Sequence, residues 1–147
     1  MITVFLCDDN EISLTRYHKK LTSIVEKTEE QIKISHFSSG ESLIAYLEEN
    51  PNEADIIFLD LLMGNLNGVE IAKKLRELGC ISEIVFLTSS EDFVYDSFEA
   101  SPLHYILKGL PLEDENIEKI FLKALNIVKQ KASDLFFIET PAQKKQL

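Results

Sequence analysis

The stretch "IIFLDLLMGNLNG", residues 56–68, decides the fold of this chain. Four large apolar residues are followed at once by a single acid, Asp60, and then by a segment that contains glycine and asparagine. A run that is apolar on both faces is typical of a central strand in a parallel sheet. Burying an unpaired charge is costly, so Asp60 is either solvated at the end of the strand or held within a site.

Short apolar runs alternate with longer amphipathic stretches on both sides of this segment. We predict strands at residues 2–6, 31–37, 55–59, 83–87 and 104–107. We predict helices at residues 10–27, 38–49, 68–79, 91–100 and 116–130, the second with a capping box from Ser38 to Glu41. The alternation predicts a doubly wound α/β domain around a five-stranded parallel sheet. Continuously apolar strands belong at the centre and the alternating strand at an edge, which fits the order 2-1-3-4-5.

Composition limits the classes of function that fit. The 147 residues are 45% hydrophobic and 27% charged, as in an ordinary globular domain. The net charge of -10 disfavours nucleic-acid binding by this chain itself, because phosphate contacts need basic residues. No apolar run approaches the roughly 20 residues of a membrane span, and no signal peptide is evident. We therefore expect a cytoplasmic protein without membrane contact, in which Cys7 and Cys80 are small buried hydrophobes.

Residue types that phosphoryl transfer requires, namely acids, a hydroxyl and a lysine, follow four of the predicted strands. These residues are Asp8 and Asp9 after the first strand, Asp60 after the third, Thr88 after the fourth and Lys108 after the fifth. Ligand sites of open parallel sheets form at the carboxyl ends of the strands, near the switch in strand order. Because strands 1 and 3 are neighbours in the predicted order, we expect the three carboxylates to meet in one cleft.

A cluster of three carboxylates needs compensation, because like charges in one cleft repel each other. Mg²⁺ is suited to this role, since it takes oxygen ligands, keeps several waters and needs only one or two carboxylates. Mg²⁺ and Lys108 together would balance the three negative charges. The cation would still be exposed to an incoming phosphate.

The motifs "FLCDDN", "FLDLLMGNLNG", "VFLTSS" and "YILK" resemble those of receiver domains in two-component response regulators. The resemblance covers residues 1–131 and implies a flavodoxin-like receiver fold. It also implies that a sensor histidine kinase phosphorylates Asp60, and that the domain catalyses only its own phosphorylation and dephosphorylation. Mg²⁺ would be bound by the side chains of Asp9 and Asp60, by the carbonyl of Leu62, and by Asp8 mainly through water.

The same resemblance assigns three further roles. Thr88 would hydrogen-bond the phosphoryl oxygen, and Lys108 would pair with it. Tyr105 would reorient on activation and change the face formed by the fourth and fifth helices and strand 5. We expect this face to support self-association on phosphorylation, with Phe93, Phe98 and Leu103 contributing; the alternative is that these three complete the core.

Two glycines depart from the family pattern. Gly64 stands where a proline is usual, and Gly109 stands where a proline commonly follows the lysine. The lysine–proline bond is often cis in the family, whereas a cis bond before another residue costs roughly 2.5–4 kcal/mol. We therefore expect either a trans bond or a strained cis bond after Lys108.

The absence of that proline, together with "FFIET" downstream, resembles quorum-sensing regulators that carry a LytTR-type DNA-binding domain. On this interpretation, residues 132–147 are a linker and the first strand of that domain, and DNA is bound only through an output domain that is largely missing here. A frayed tail is the alternative.

Two rival functions are a receiver that is never phosphorylated and acts as a protein-interaction module, and a haloacid-dehalogenase-type phosphatase. The second is disfavoured because Asp8 and Asp9 are adjacent.

Overall fold

The computed structural model describes residues 1–64, 66–89 and 104–138, with side chains up to residue 134. The strands are β1 (Ile2–Cys7), β2 (Ile32–Phe37), β3 (Ile56–Leu59), β4 (Glu83–Thr88) and β5 (His104–Leu107). The helices are α1 (Glu11–Val25), α2 (Gly40–Glu49), α3 (Gly68–Glu77) and α4 (Glu113–Ile138). The helix predicted at 91–100 lies outside the described residues, as do Phe93, Phe98 and Leu103.

The five strands form one parallel sheet in the order β2-β1-β3-β4-β5, which confirms the predicted topology. Cys7, the last residue of β1, lies opposite Phe37 of β2 and Leu59 of β3. The residues that follow β1 and β3 therefore begin side by side, at the point where the strand order reverses. This register brings Asp8 and Asp60 into one cleft.

Two hydrophobic clusters cover the two faces of the sheet. One joins Phe58 of β3 to α1 and α4, where Phe121 meets the Phe58 ring edge-on at a centroid distance of 5.8 Å. The other joins Phe86 of β4 to buried residues of α2 and α3, including Leu43 and Ile71. The central strands β3 and β4 are buried on both faces, as their uninterrupted apolar runs predict.

Polar side chains start three of the helices. Asn10 accepts a hydrogen bond from the Ser13 amide at α1, and Asn67 accepts one from the Glu70 amide at α3. The predicted capping box at α2 is wrong, because Ser39 is the capping residue and accepts from the Ser42 amide. The sequence offers serine at both 38 and 39, and Ser39 has the extended backbone of a capping residue.

The last helix extends beyond its predicted end at residue 130. It remains helical to Ile138, so residues 132–138 of the segment interpreted as a linker and first strand continue the helix. Near residue 130 the helix is paired to the rest of the domain by Lys129 with Glu30 and by Lys131 with Glu83, both at 2.7 Å. Within the described ranges, no helix combines the length and apolar character needed to cross a membrane. Both cysteines are buried and free, as predicted.

Candidate functional site

The two adjacent aspartates after β1 have different partners. Asp8 is only 7% exposed, and its carboxylate accepts from the Asn10 amide at 2.9 Å and from the Lys108 ammonium at 2.7 Å. Asp9 is exposed and accepts from the Gly64 amide at 3.2 Å. Asp8 is therefore part of a buried ion pair, whereas Asp9 lies at the open side of the cleft and links β1 to the loop after β3.

Asp60 lies beside this pair at the end of β3. Its backbone amide donates to the carbonyl of Cys7, which fixes it next to the start of the Asp8–Asp9 segment. One carboxylate oxygen accepts from the Leu62 amide at 3.2 Å, and the other lies 3.5 Å from the Lys108 ammonium. The side chain is 12% exposed, so the acid is half-enclosed but open to a reactant.

Lys108 bridges Asp8 and Asp60 from the end of β5. Its backbone amide donates to the carbonyl of Thr88 at 2.8 Å, which aligns the ends of β4 and β5. Thr88 itself is fully buried. The Lys108 ammonium lies 5.2 Å from the centre of the Tyr17 ring, so α1 also borders the site.

Gly64 and Gly109, which stand where the receiver-family resemblance leads us to expect proline, have a common structural reason to be glycine. Gly64 and Gly109 adopt φ angles of 38° and 81°, which proline is unable to adopt because its ring fixes φ near roughly −65°. Each glycine also uses the N–H that proline lacks, donating to Asp9 and to Glu113 respectively. The Lys108–Gly109 bond is trans, which decides between the two expectations.

Sequence reasoning missed the acid that binds Gly109. Glu113, the first residue of α4, is 7% exposed and accepts from Gly109 at 2.8 Å, from the Tyr17 hydroxyl at 2.6 Å and from Lys20 at 2.6 Å. Burial alone would raise the pKa of Glu113, but the hydrogen bonds from Lys20, Tyr17 and Gly109 outweigh it and lower that pKa. Burial and the bond to Glu113 raise the pKa of Tyr17. In sequence, an acid in the first turn of a helix indicates only a solvated charge at the helix N-terminus.

Cys7 reports the electrostatic character of the cleft. Burial, followed by the nearby charges of Asp8 and Asp60, raises the pKa of its thiol to about 12. The thiol therefore stays protonated at neutral pH and is unsuited to nucleophilic chemistry. By formal charge, the carboxylates of Asp8, Asp9 and Asp60 outnumber the single ammonium group of Lys108 at this edge of the sheet.

Tyr105 lies outside this cleft, on β5. It is half-buried, packs against the second hydrophobic cluster and lies 6.3 Å from the Phe86 ring, measured between centroids. The structure thus brings together Asp8, Asp9, Asp60 and Lys108, places Thr88 next to Lys108 through the backbone, and holds Tyr105 on the flank.

Taken together, this sheet order and the acid–lysine site at the carboxyl ends of its strands define a doubly wound α/β domain with an acidic cleft at the switch in strand order. Residues 4–121 match the family described as "Response regulator receiver domain", and the chain belongs to that family.

Relatives with similar sequences bear the name "Sensory transduction protein LytT". The protein from Bacillus anthracis is 31% identical over 135 residues, covering 92% of this chain and 50% of that protein. The protein from Bacillus subtilis strain 168 is 27% identical over 123 residues, covering 84% of this chain and 48% of that protein. The chain spans about half the length of these curated relatives.

Solved structures of receiver domains share the fold. The response regulatory domain of the protein mrkE from Klebsiella pneumoniae has a TM-score of 0.71 and 25% identity, covering 88% of this chain and 99% of that one. The signal receiver domain of a putative Luxo repressor protein from Vibrio parahaemolyticus has a TM-score of 0.74 and 16% identity, covering 95% of this chain and 98% of that one.

Proposed function

We propose that this domain accepts a phosphoryl group on Asp60 from a sensor histidine kinase, in a reaction that requires Mg²⁺, and thereby switches an output that regulates transcription. One observation carries the proposal. The Lys108 ammonium lies 2.7 Å from Asp8 and 3.5 Å from Asp60, so a cation faces the acceptor carboxylate in a half-enclosed acidic cleft. That cation is held in position for an incoming dianionic group.

The donor atoms of the cleft fit Mg²⁺. Asp9, Asp60 and the Leu62 carbonyl would supply hard oxygen ligands, and Mg²⁺ fills its remaining positions with water. Asp8 already pairs with Lys108, which supports a role through water for this residue. Across residues 1–64, 66–89 and 104–138, no group of three or more His, Cys, Asp and Glu side chains is arranged around a metal position. Mg²⁺ does not require such a group, because one or two carboxylates suffice. When bound, the ion would neutralise charge on the transferring phosphoryl group.

The chain's own residues then account for the transfer. A carboxylate oxygen of Asp60 forms the new O–P bond while the N–P bond of the kinase phosphohistidine breaks, and the imidazole leaves with the electron pair. A loose transition state of this kind depends on positioning and charge stabilisation more than on covalent catalysis. Lys108 would turn from Asp60 toward the phosphoryl oxygens, and Thr88 would donate a hydrogen bond to one of them.

The output is proposed from the relatives. Proteins named LytT are about twice as long as this chain, so residues 132–147 would lead into a further domain of the LytTR type. Drawing Thr88 inward on phosphorylation would free space for Tyr105, and self-association through the Tyr105 face would follow. This route shifts a pre-existing equilibrium between two conformations.

The experiment is intact-mass spectrometry after incubation with acetyl phosphate. We expect the mass of one phosphate to be added in Mg²⁺ and none in excess chelator. Asp60→Asn should abolish the addition, whereas Asp134→Asn, the same change at an exposed residue of α4, should leave it intact. No addition to the unmodified chain would refute the proposal and would favour a protein-interaction module that is never phosphorylated.

A further inference from the structure

The loop after Lys108 is held by a buried cluster that the receiver-family resemblance did not assign. We propose that Glu113 and Tyr17 are positioning residues for Lys108, which they hold through the Gly109 amide and through the Tyr17 ring. The inference rests on the proposed function, because it concerns the lysine that faces Asp60. We call Glu113, Tyr17, Lys20 and the Gly109 amide the Glu113 cluster.

The first step concerns the backbone. Gly109 directly follows Lys108, and its φ of 81° lies in the left-handed region, where the chain turns sharply. Its N–H donates to Glu113 at 2.8 Å, while the Lys108 N–H donates to Thr88 at 2.8 Å. Consecutive amides are thus tied to two different elements, which fixes the direction in which Lys108 leaves the sheet.

The second step concerns the side chain of Lys108. The Tyr17 hydroxyl donates to Glu113 at 2.6 Å, which holds the Tyr17 ring next to Lys108. The ring centre lies 5.2 Å from the Lys108 ammonium and 5.4 Å from that of Lys20. The ring is within the range of a cation–π contact with both ammonium groups. It also limits the side of the cleft from which Lys108 could leave.

The third step concerns charge. Glu113 is 7% exposed, and a buried carboxylate persists only with partners. Lys20 supplies the opposite charge at 2.6 Å and also pairs with the exposed Asp114, so Glu113 has a cation of its own and does not draw Lys108 away from Asp8. The Lys108 ammonium therefore pairs with Asp8 and Asp60, and Glu113 acts on Lys108 only through Gly109 and Tyr17.

The position of Lys108 is tested directly by its reactivity toward a soluble acetylating reagent, read by peptide mass spectrometry. In the unmodified chain Lys108 should react slowly, because its side chain is 13% exposed and paired. Glu113→Ala should accelerate acetylation of Lys108 roughly tenfold or more, and Tyr17→Phe, which keeps the ring but loses the hydroxyl, should give a smaller increase. Glu118→Gln, at an exposed acid of the same helix paired with Lys27, is the charge control and should leave Lys108 unchanged.

The consequence for the reaction is tested by the rate of phosphorylation with acetyl phosphate and saturating Mg²⁺. Glu113→Ala should lower this rate about 10- to 100-fold, as expected for a misplaced charged group. Ile120→Val, a mild core change in the same helix, controls for lost stability and should alter neither the rate nor the reactivity of Lys108.

The outcomes separate the two proposals. Unchanged Lys108 acetylation in Glu113→Ala, or an equal acceleration in Ile120→Val, would overturn the positioning role whatever the chain does with phosphate. Faster acetylation with an unaltered phosphorylation rate would overturn it as well. An unmodified chain that takes no phosphate would refute the proposed function, while the acetylation result would still decide whether the Glu113 cluster holds Lys108.

Discussion

Asp8 and Asp9 are chemically identical neighbours, yet replacing each with asparagine should affect different properties. Asp8→Asn should lower the stability of the fold, whereas Asp9→Asn should weaken Mg²⁺ binding. Asp8 is buried and paired with Lys108 at 2.7 Å, so Asp8→Asn leaves an ammonium group with only the more distant carboxylate of Asp60. Asp9 is exposed, and asparagine at that position is still able to accept the hydrogen bond from Gly64. Asp8 should therefore matter for folding, and Asp9 for the metal.

The magnitudes follow from these contacts. Breaking a fully buried ion pair costs about 3–5 kcal/mol, and a hydrogen bond to a charged group contributes about 1.5–3 kcal/mol. The second carboxylate beside Lys108 reduces the loss, so we expect Asp8→Asn to lower the free energy of unfolding by about 2 kcal/mol. In a domain of this size that corresponds to roughly 4–8 °C in Tm. Asp9→Asn should stay within about 0.5 kcal/mol of the unmodified chain.

The stability gained on Mg²⁺ binding should be affected in the reverse order, more by Asp9→Asn than by Asp8→Asn. A ligand at 100 times its Kd stabilises the folded state by about 2.7 kcal/mol. Asp8→Asn should keep most of that gain, since Asp8 acts on the ion mainly through water. Asp9→Asn should lose it, because a hundredfold weaker affinity leaves only about 0.4 kcal/mol at the same Mg²⁺ concentration.

One assay measures both effects. Urea unfolding followed by far-UV circular dichroism, with chelator and then with Mg²⁺, gives the stability of each variant and its gain on binding. The chain contains no tryptophan, which makes circular dichroism a better probe than intrinsic fluorescence. Equal losses of stability in chelator, or equal gains in Mg²⁺, would refute the separate roles that we assign to the two aspartates.

Three further predictions concern the core, the Glu113 cluster and the output. Phe121→Ala removes a fully buried ring that packs on Phe58, so it should cost about 3–5 kcal/mol in urea unfolding, and a loss below about 1 kcal/mol would contradict the packing seen here. The lowered pKa of Glu113 gives stability that is present above its unfolded pKa and is lost as pH falls through its folded pKa. The raised pKa of Tyr17 gives stability that is lost as pH rises above about 10. Tyr17→Phe should remove this alkaline loss of stability in a pH series of thermal melts, and its persistence in that variant would assign the loss to another group. Phosphodonor treatment should produce a heavier species in analytical ultracentrifugation, and Tyr105→Ala should reduce that species without reducing phosphorylation; a monomer in both states would exclude self-association as the output of this domain.

The parts of the molecule that sequence predicts best are those in which a single residue type has one physical meaning. The uninterrupted apolar runs of β3 and β4 indicate burial on both faces, and this fixes the centre of the sheet and the cleft beside Asp60. The cap of α2 was missed by one residue because the sequence offers two adjacent serines, Ser38 and Ser39, and residue type alone does not say which of them caps the helix. Residues 132–147 were interpreted as a linker and a first strand, but residues 132–138 continue α4, because aromatic and β-branched residues are compatible with a helix as well as with a strand.

The site was predictable to the extent that it depends on strand ends. Asp8, Asp60 and Lys108 meet because parallel strands deliver their following residues to one edge of the sheet. The Glu113 cluster was not predictable, because it joins residues about a hundred positions apart through side chains whose sequence neighbourhoods indicate ordinary helix surfaces. In sequence, Gly109 is only a residue at which proline was expected, and Glu113, which accepts the hydrogen bond from its N–H, lies in the next helix.

The two glycines also bear on how this domain should be engineered. The resemblance to receiver domains would suggest proline at positions 64 and 109, and a design that followed this pattern would introduce it at both. Each change would delete an amide donor and impose a φ of roughly −65° on a backbone that stands at 38° or 81°. The usual benefit of proline, a smaller entropy loss on folding, applies only where the native backbone accepts it. At these two positions a family-average sequence would be a less stable protein than the natural one, and the acids at 9 and 113 would have to change with the prolines.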